Sequence, residues 1–296
     1  MQGLILLCKP QGITSFSAVS AIKRAACEKR VGHTGTLDPM ATGVLPVLLG
    51  RATALSSLML DADKRYIAEV KLGITTDSDD ITGNVLSEKA VNINREDIEK
   101  ALSAFTGEIE QIPPMYSALK KDGVRLYKLA REGKTVEIEP RKVEIFEIKL
   151  LSLNSEDNTF KIDVHVSKGT YIRSLARDIG EFLGCGATLT GLCRTAASGF
   201  SIENCVSLDD IKNGDISDYI LNEEQAVMHL PEINVTDKQA VRFCNGGQLG
   251  FDRLQIATPP DGQLFRVKNK GLLLGIGIAD NEKKQINIKC IINYPE

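Results

Sequence analysis

The spacing of hydrophobic and polar positions predicts both strands and helices in the first 230 residues. The apolar run at residues 3–8 is typical of a buried strand, and the alternation across 66–72 predicts a strand with one buried face. Residues 143–153 and 160–166 predict two paired strands joined by a turn. Because strands and helices do not alternate strictly, the pattern favours an α+β fold with a mixed, largely antiparallel central sheet flanked by helices.

Three amphipathic helices are predicted over residues 15–30, 94–105 and 171–183. Thr14 or Ser15 is a suitable N-cap for the first of them. The positions expected to face inward are Phe16, Val19 and Ile22 in the first helix, Ile98, Ala101, Leu102 and Phe105 in the second, and Ile172, Leu175, Ala176, Ile179 and Phe182 in the third.

The pattern changes after Pro231 to short strands and glycine turns. Gly246-Gly247 marks a turn, 272–278 predicts a strand, and apolar residues alternate across 286–290. We therefore expect a main domain at 1–230 and a small β-rich domain at 231–296. No flexible linker precedes the second domain, so it is expected to pack against the first.

Composition excludes several classes of protein. The 296 residues are 43% hydrophobic and 25% charged, with a net charge of −3, which argues against coating nucleic acid by bulk electrostatics but permits a local basic face. Seven cysteines without a Cys-x-x-Cys pair predict reduced thiols rather than a disulfide framework or a zinc ribbon. Three histidines supply little for a metal site. The first apolar run is too short to span a bilayer, so the expected location is cytoplasmic.

The most informative segment, residues 32–43, reads Gly-His-Thr-Gly-Thr-Leu-Asp-Pro-Met-Ala-Thr-Gly. Asp38 is its only carboxylate, and Pro39 pushes the preceding residue toward an extended conformation. The glycines allow a ligand to approach the backbone closely. Asp38 is therefore a candidate catalytic or binding residue, and the alternative is that it caps a turn through its own backbone.

A basic segment follows at residues 113–142. Its basic residues are Lys120, Lys121, Arg125, Lys128, Arg131, Lys134, Arg141 and Lys142. Interleaved tyrosines and helical spacing of Lys121, Arg125 and Lys128 suit an RNA backbone with splayed bases. Taken alone, such a run is more often a solvated helix face.

Two further charged groups are candidates for binding. Arg173 and Arg177 are four residues apart on the third predicted helix, a spacing that suits one carboxylate or phosphate. Asp77, Asp79 and Glu88 partly match a calcium loop but fail at two important positions, so a solvated acidic turn is the better interpretation.

Taken together, these segments resemble the TruB family of bacterial tRNA pseudouridine-55 synthases. The resemblance covers the main domain, and the tail resembles the PUA-type RNA-binding domain of that family. The motifs, in chain order, are Lys9-Pro10-x-Gly12-x-Thr14-Ser15, the segment 32–43, Lys64-x-Tyr66, Pro113-Pro114-x-Tyr116-Ser117-Ala118 and Gly169-Thr170-Tyr171-Ile172-Arg173-Ser174-Leu175.

The resemblance implies an isomerase that converts one uridine in the T loop of tRNA to pseudouridine, without cofactor or metal. It makes Asp38 the nucleophile, Arg173 its charged partner and Tyr66 the residue that stacks on the uracil, with Leu192 on the other side of the base. It leaves open whether Asp38 attacks the sugar or the base.

The resemblance also implies how the substrate is held. His33 enters the space that the flipped nucleotide leaves, and Lys64 contributes to substrate binding. The 113–142 insertion grips the T arm, a role that replaces the solvated-helix interpretation and assigns contacts to Lys120, Lys121, Arg125 and Lys128. The expected partner is the tRNA T stem-loop, and the expected state is a monomer.

Two alternative classes follow from the same residues. A non-catalytic RNA chaperone would keep the fold and the binding loop, but it would not need Asp38, Tyr66 and Arg173 together. A carboxylate-based glycosidase or nucleoside hydrolase would normally need a second carboxylate beside the cleaved bond, and the Asp38 segment contains none.

Overall fold

A computed structural model describes residues 1–117, 119–121, 123–134 and 136–295. It leaves out the side chain of Arg131. Ala118, the last residue of the proline–tyrosine motif, and Glu296, the last residue of the predicted second domain, lie outside the described residues.

A large mixed sheet forms the body of the protein. Within the described residues it contains ten strands, which are β1 (Gly3–Lys9), β2 (Val31–His33), β3 (Thr42–Leu49), β4 (Lys64–Leu72), β7 (Gly107–Gln111), β10 (Arg141–Asn154), β11 (Thr159–Val166), β12 (Ala187–Ala197), β13 (Phe200–Ser201) and β14 (Val206–Ser207). Their order in space is β14-β1-β3-β12-β4-β11-β10-β7, with β2 paired to β3 and β13 paired to β12.

Most neighbouring strands in this sheet are antiparallel. Among the described strands of this sheet, only β1–β14 and β3–β12 pair in parallel. The predicted strand pair becomes β10 and β11, in antiparallel register with Leu150 opposite Ile162. The mixed, largely antiparallel sheet predicted from the sequence is confirmed.

The run at 3–8 is apolar throughout because β1 is covered on both faces. Ile5 and Leu7 pack into the cluster beneath the helices, whereas Leu4 and Leu6 pack into a second cluster on the opposite face. A strand buried on both sides lacks the alternation of a half-exposed strand.

The helices lie close to their predicted positions. They are α1 (Ser15–Ala25), α2 (Ser56–Leu60), α3 (Arg95–Ala104), α4 (Leu126–Arg131), α5 (Ile172–Phe182), α6 (Leu208–Asn213), α7 (Asp237–Cys244) and α8 (Phe251–Leu254). Thr14 caps α1 by accepting a hydrogen bond from the backbone N–H of Ser17, and Asn94 forms a capping box with Asp97 at α3.

Two expectations about the first and third predicted helices are wrong. α1 ends at Ala25 rather than near residue 30, because Cys27 adopts a positive φ of 47° that a helix does not allow. Phe16 and Phe182 were expected to face inward but are 78% and 56% exposed. Phe16 lies outside the buried face of α1, to which Ala18 and Ile22 belong, and Phe182 is the last residue of α5.

Two small hairpins project from the main sheet. β5 (Ile74–Thr76) pairs with β6 (Val85–Glu88), and the acidic turn lies between them. β8 (Lys120–Lys121) pairs with β9 (Val124–Arg125), and α4 follows directly. The basic segment is therefore a short hairpin and a helix, so the helical spacing predicted for Lys121, Arg125 and Lys128 is wrong.

A separate β domain follows the main sheet. Its strands are β15 (Glu232–Asn234), β16 (Leu249–Gly250), β17 (Leu264–Asn269), β18 (Leu272–Asp280) and β19 (Gln285–Ile291). They form a sheet in the order β15-β17-β18-β19-β16. The α+β fold thus carries a β-rich C-terminal domain.

The C-terminal domain packs directly on the back of the main sheet. Leu273, Ile276 and Ile292 join Leu4 and Leu48 in one apolar cluster. Hydrogen bonds from Gln2 and Asn293 converge on Glu223 at 2.9 and 2.7 Å beside this cluster.

No helix among the described residues is long and apolar enough to cross a membrane.

Candidate active site

Asp38 lies on a loop, residues 34–41, between β2 and β3, which we call the Asp38 loop. The segment after β1 holds this loop in place. The Ser15 hydroxyl donates to the carbonyl of Leu37 at 2.9 Å and accepts from its N–H at 2.8 Å, and the N–H of Gly12 donates to the carbonyl of Pro39 at 2.8 Å. The first two sequence motifs, at residues 9–15 and 32–43, are therefore hydrogen-bonded to each other.

The structure brings Asp38 and Arg173 together. Nε of Arg173 lies 3.0 Å from Oδ2 of Asp38, and the arginine side chain is only 6% exposed. The same guanidinium donates to the carbonyl of Ser78 at 3.1 Å and to that of Tyr116 at 2.8 Å, and it lies 3.6 Å from Asp80. Arg173 is consequently fixed from several directions and presents one edge to Asp38.

The charge state of Asp38 reflects opposing influences. Burial raises the pKa of its carboxyl, and the nearby positive charge of Arg173 lowers it. The charge of Asp80 raises the pKa, while Lys9 lowers it. The side chain remains 36% exposed, so the carboxylate can be reached from the cavity while being held by the arginine.

The acidic turn is solvated only in part, which corrects the expectation from the sequence: Glu88 is exposed, but Asp79 is half-buried and the adjacent Asp80 is buried. Asp80 is 5% exposed and accepts hydrogen bonds from the hydroxyl of Ser78 at 2.8 Å and the N–H of Thr82 at 3.0 Å. Asp79 pairs with Arg177 at 3.0 Å, and burial raises the pKa of Asp79 to about 6. Asp79 and Asp80 thus face the two arginines of α5 instead of water.

A cavity of about 360 Å³ opens beside Asp38, and we call it the smaller cavity. Tyr66 on β4 and Leu192 on β12 line it together with Arg173 and Lys64. Arg194 is opposite Tyr66 and Leu192 is opposite Ala68 in the antiparallel register, so these side chains share one face of the sheet. The volume falls within the range of ligand pockets, roughly 300–1,000 Å³.

Two lysines near the Asp38 loop have lowered pKa values. Burial lowers the pKa of Lys64 to about 8, and its ammonium donates to the carbonyl of Leu60 at 3.3 Å. Lys9 is fully buried, and burial lowers its pKa to about 8 as well. Its Nζ donates to the carbonyls of Pro10 and Ile13 at 2.8 Å each. Lys9 thus helps to shape the segment that holds the Asp38 loop.

A larger cavity of about 780 Å³ lies on the other side of Asp38 and Arg173. His33 and the exposed Phe16 line it. Burial lowers the pKa of His33, and Nδ1 of this histidine is buried without a hydrogen-bond partner among the described residues. The structure therefore places His33 next to Asp38 but in a different cavity from Tyr66 and Leu192.

The basic segment contributes unequally to these cavities. Arg125 lines the larger cavity. Lys120, Lys121 and Lys128 are exposed and line neither cavity, so the structure does not bring them to Asp38. Their positions on the projecting hairpin and helix leave them available to a large partner.

Sequence reasoning missed three residues that build this site. Lys9 had a signal, because it opens the first motif. Asp80 lies in the acidic turn and contacts Arg173, which is 93 residues later in the chain. A contact over such a distance leaves no local pattern in the sequence. Arg194 had a weaker signal, two residues after Leu192 in the same strand.

Among the described residues, no group of three or more His, Cys, Asp and Glu side chains is arranged to hold a metal ion.

The arrangement suits covalent chemistry on a planar base. A carboxylate held by an arginine is an available nucleophile, and an aromatic and an apolar side chain face the same cavity.

Solved structures with this fold include a Cbf5-Nop10-Gar1 complex, at 26% identity and a TM-score of 0.75, covering 99% of this chain and 85% of that one. Another is an H/ACA RNP bound to a substrate RNA containing 2′-deoxyuridine, also at 26% identity and a TM-score of 0.75, covering 99% and 87%.

The fold and the site thus define an enzyme of the pseudouridylate synthase class. Residues 23–172 match the N-terminal domain of the TruB family pseudouridylate synthases, and 173–228 match the tRNA pseudouridylate synthase B C-terminal domain. The chain belongs to the TruB family.

Curated relatives match the chain over nearly its whole length. A tRNA pseudouridine synthase B of Clostridium tetani is 44% identical over 99% of this chain and 100% of the relative. Proteins with the same name from Azoarcus sp. (strain BH72) and Clostridium perfringens (strain 13 / Type A) are 44% and 42% identical, over 94% and 95% of this chain and 91% and 96% of the relatives.

Proposed function

We propose that the chain isomerises uridine-55 in the T loop of tRNA to pseudouridine. The observation that carries the proposal is the Asp38–Arg173 pair at 3.0 Å in the wall of a cavity that Tyr66 and Leu192 also line. The names of the relatives supply the tRNA substrate.

In this reaction the bond between uracil N1 and the ribose C1′ breaks, and a bond between uracil C5 and C1′ forms. Asp38 forms a temporary covalent bond, at the sugar or at the base, and is released at the end. The proton of C5 is lost and N1 gains one, so the product is an isomer of the substrate. Arg173 holds Asp38 ionised and oriented. Tyr66 stacks on the uracil, and Leu192 packs on its other side.

The target uridine must leave the RNA stack to reach Asp38, which costs a few kcal/mol. We place the flipped base in the smaller cavity, where Lys64 also faces the nucleotide. His33, in the larger cavity, contacts the nucleotides that the flipped base leaves behind. Burial keeps the pKa of His33 below its usual value, so a neutral imidazole enters this space.

We further propose that the 113–142 insertion binds the T arm. Its exposed Lys120, Lys121 and Lys128 suit phosphates, and Arg125 lies where the bound RNA would enter the larger cavity.

We place the domain boundary at 230/231 and assign PUA-like RNA binding to residues 231–296. We also propose that the enzyme acts as a monomer, and its tRNA substrate supports a cytoplasmic location.

Tritium at uracil C5 tests the proposal directly, because isomerisation releases it to water. We expect the protein to release one equivalent from an unmodified tRNA transcript and none from labelled sites when uridine-55 is replaced by cytidine. Release of free uracil would instead indicate a nucleoside hydrolase. Tight binding without any release would indicate an RNA chaperone.

Charge reversal in the insertion should weaken RNA binding without changing the chemistry. Lys→Glu at 120, 121 and 128 together should raise the Kd for tRNA by on the order of tenfold at low salt, and the log–log salt slope should fall by roughly one per lost phosphate contact. Filter binding across a salt series measures both quantities. The single-turnover rate constant on saturated RNA should stay unchanged.

Lys100→Glu is the matched control, because it reverses an exposed charge on α3, outside the insertion. It should leave the Kd and its salt slope as in the wild type. Wild-type affinity in the triple variant would remove the insertion from the binding surface.

A further inference from the structure

Arg194 is a buried cation that binds both ends of the Asp38 segment. It lies on β12 and is 1% exposed. Its Nε donates to the carbonyl of Val44 at 2.7 Å, and its Nη2 donates to the carbonyl of Gly35 at 3.0 Å. Gly35 precedes Asp38 by three residues and Val44 follows it by six, so one guanidinium spans the segment that carries the nucleophile.

Arg194 also belongs to the strand that builds the opposite wall of the smaller cavity. It is opposite Tyr66 in the β4–β12 register and two residues from Leu192, and its own side chain lines the cavity. It is therefore fixed to the residues that would contact the two faces of the base. A single side chain connects the nucleophile's loop with the base-binding strands.

The backbones of β3 and β12 are in close contact at Arg194. Arg194 pairs with Gly43 where β3 and β12 run in parallel. A Cβ on Gly43 would come within 2.2 Å of the Arg194 carbonyl oxygen, and the glycine has a φ of +101°. A displacement of either strand would therefore be passed on to the Asp38 loop.

Stability alone does not explain a cation at this place. Among the described residues, no carboxylate forms an ion pair with Arg194, and a buried charge without a counter-ion is costly. The planar fork binds two carbonyls in fixed directions, which the single ammonium of a lysine cannot reproduce. The geometry points to orientation as the role of this arginine.

We infer that Arg194 is a positioning residue, which sets the distance and orientation of Asp38 relative to the base held between Tyr66 and Leu192. The inference rests on the proposed function. It predicts a loss in the chemical step, because a misplacement of about 1 Å can reduce a rate on the order of 10²-fold. It predicts little change in RNA affinity, because Arg194 is 1% exposed and its Nε and Nη2 already donate to backbone carbonyls.

Single-turnover tritium release with saturating enzyme tests this inference with Arg194→Lys and Arg194→Met. We expect Arg194→Lys to lose on the order of 10²-fold in rate constant and Arg194→Met to lose more, with Kd for tRNA within about threefold of the wild type. Arg65→Lys is the matched control, because Arg65 is adjacent to Tyr66 on β4 but points to the opposite face of the sheet, where its Nε pairs with Asp163 at 2.7 Å. It should keep the wild-type rate constant.

Hydrogen exchange separates positioning from general destabilisation. In Arg194→Lys the amides of residues 35–43 should exchange faster while those of β10 and β11 keep their protection. Wild-type single-turnover rates in Arg194→Lys, a loss explained by Kd alone, or loss of protection throughout the sheet would each overturn the inference. Absence of release by the wild-type protein would instead overturn the proposed function.

Discussion

Asp38→Asn should abolish pseudouridine formation while leaving tRNA binding almost intact. The amide has the shape of the carboxylate but lacks its negative charge and does not form the covalent bond. Removal of a nucleophile that works with a fixed partner lowers turnover on the order of 10⁴-fold or more. The Asp38 loop should keep its conformation, because its hydrogen bonds to Ser15 and Gly12 use backbone atoms of Leu37 and Pro39.

Single-turnover tritium release and filter binding measure the two parts of this prediction. Asp157→Asn is a suitable control, because it makes the same carboxylate-to-amide change in the exposed turn between β10 and β11. The control should release tritium at the wild-type rate. Persistent release by Asp38→Asn would mean that another group carries out the covalent step.

Arg173→Lys should slow the chemical step and shift its acid limb to higher pH. The positive charge and hydrogen bond of Arg173 lower the pKa of Asp38, against the effect of burial. A lysine does not reproduce the fork that also binds the carbonyls of Ser78 and Tyr116. With the cation displaced, the pKa of Asp38 rises, so a smaller fraction is ionised at a given acidic pH. The loss of orientation adds a decrease on the order of 10²-fold at neutral pH.

The negative charge of Asp80 raises the pKa of Asp38, as the loss of the Arg173 cation would. Arg173 lies between the two carboxylates. Single-turnover rates from roughly pH 5 to 9 would measure the shift. Arg177→Lys is the control, because this arginine lies on the same helix but pairs with Asp79 and Asp178. An acid limb at the wild-type pH in Arg173→Lys would exclude Arg173 as the partner that keeps Asp38 ionised.

Much of the fold could be predicted from local patterns. The strands β1, β4, β10 and β11 and the helices α1, α3 and α5 all lie where apolar spacing indicates them. The errors have local causes. The helical pattern continues beyond Ala25, but the backbone turns at Cys27. Apolar spacing also could not tell that Phe16 lies outside the buried face of α1 or that α5 ends at Phe182, which is why both were assigned to the core.

The candidate site was predictable only where its residues form a continuous motif. Asp38 was found because a lone carboxylate stands in a glycine-rich segment. Asp79 was misread as solvated and Asp80 was not singled out, because their partners Arg177 and Arg173 come almost 100 residues later. The role inferred for Arg194 depends on two carbonyls that lie about 150 residues earlier and carry no side-chain signature.

The apolar cluster behind the main sheet has a consequence for biosynthesis. It joins Leu4 and Leu6 to Ile292, which are separated by nearly the whole chain. During translation, the rear surface of β1 is not fully covered until Ile292 has left the ribosome. Contacts between such distant residues form slowly, so nascent chains should expose this surface to chaperones until the C-terminal domain has been synthesised.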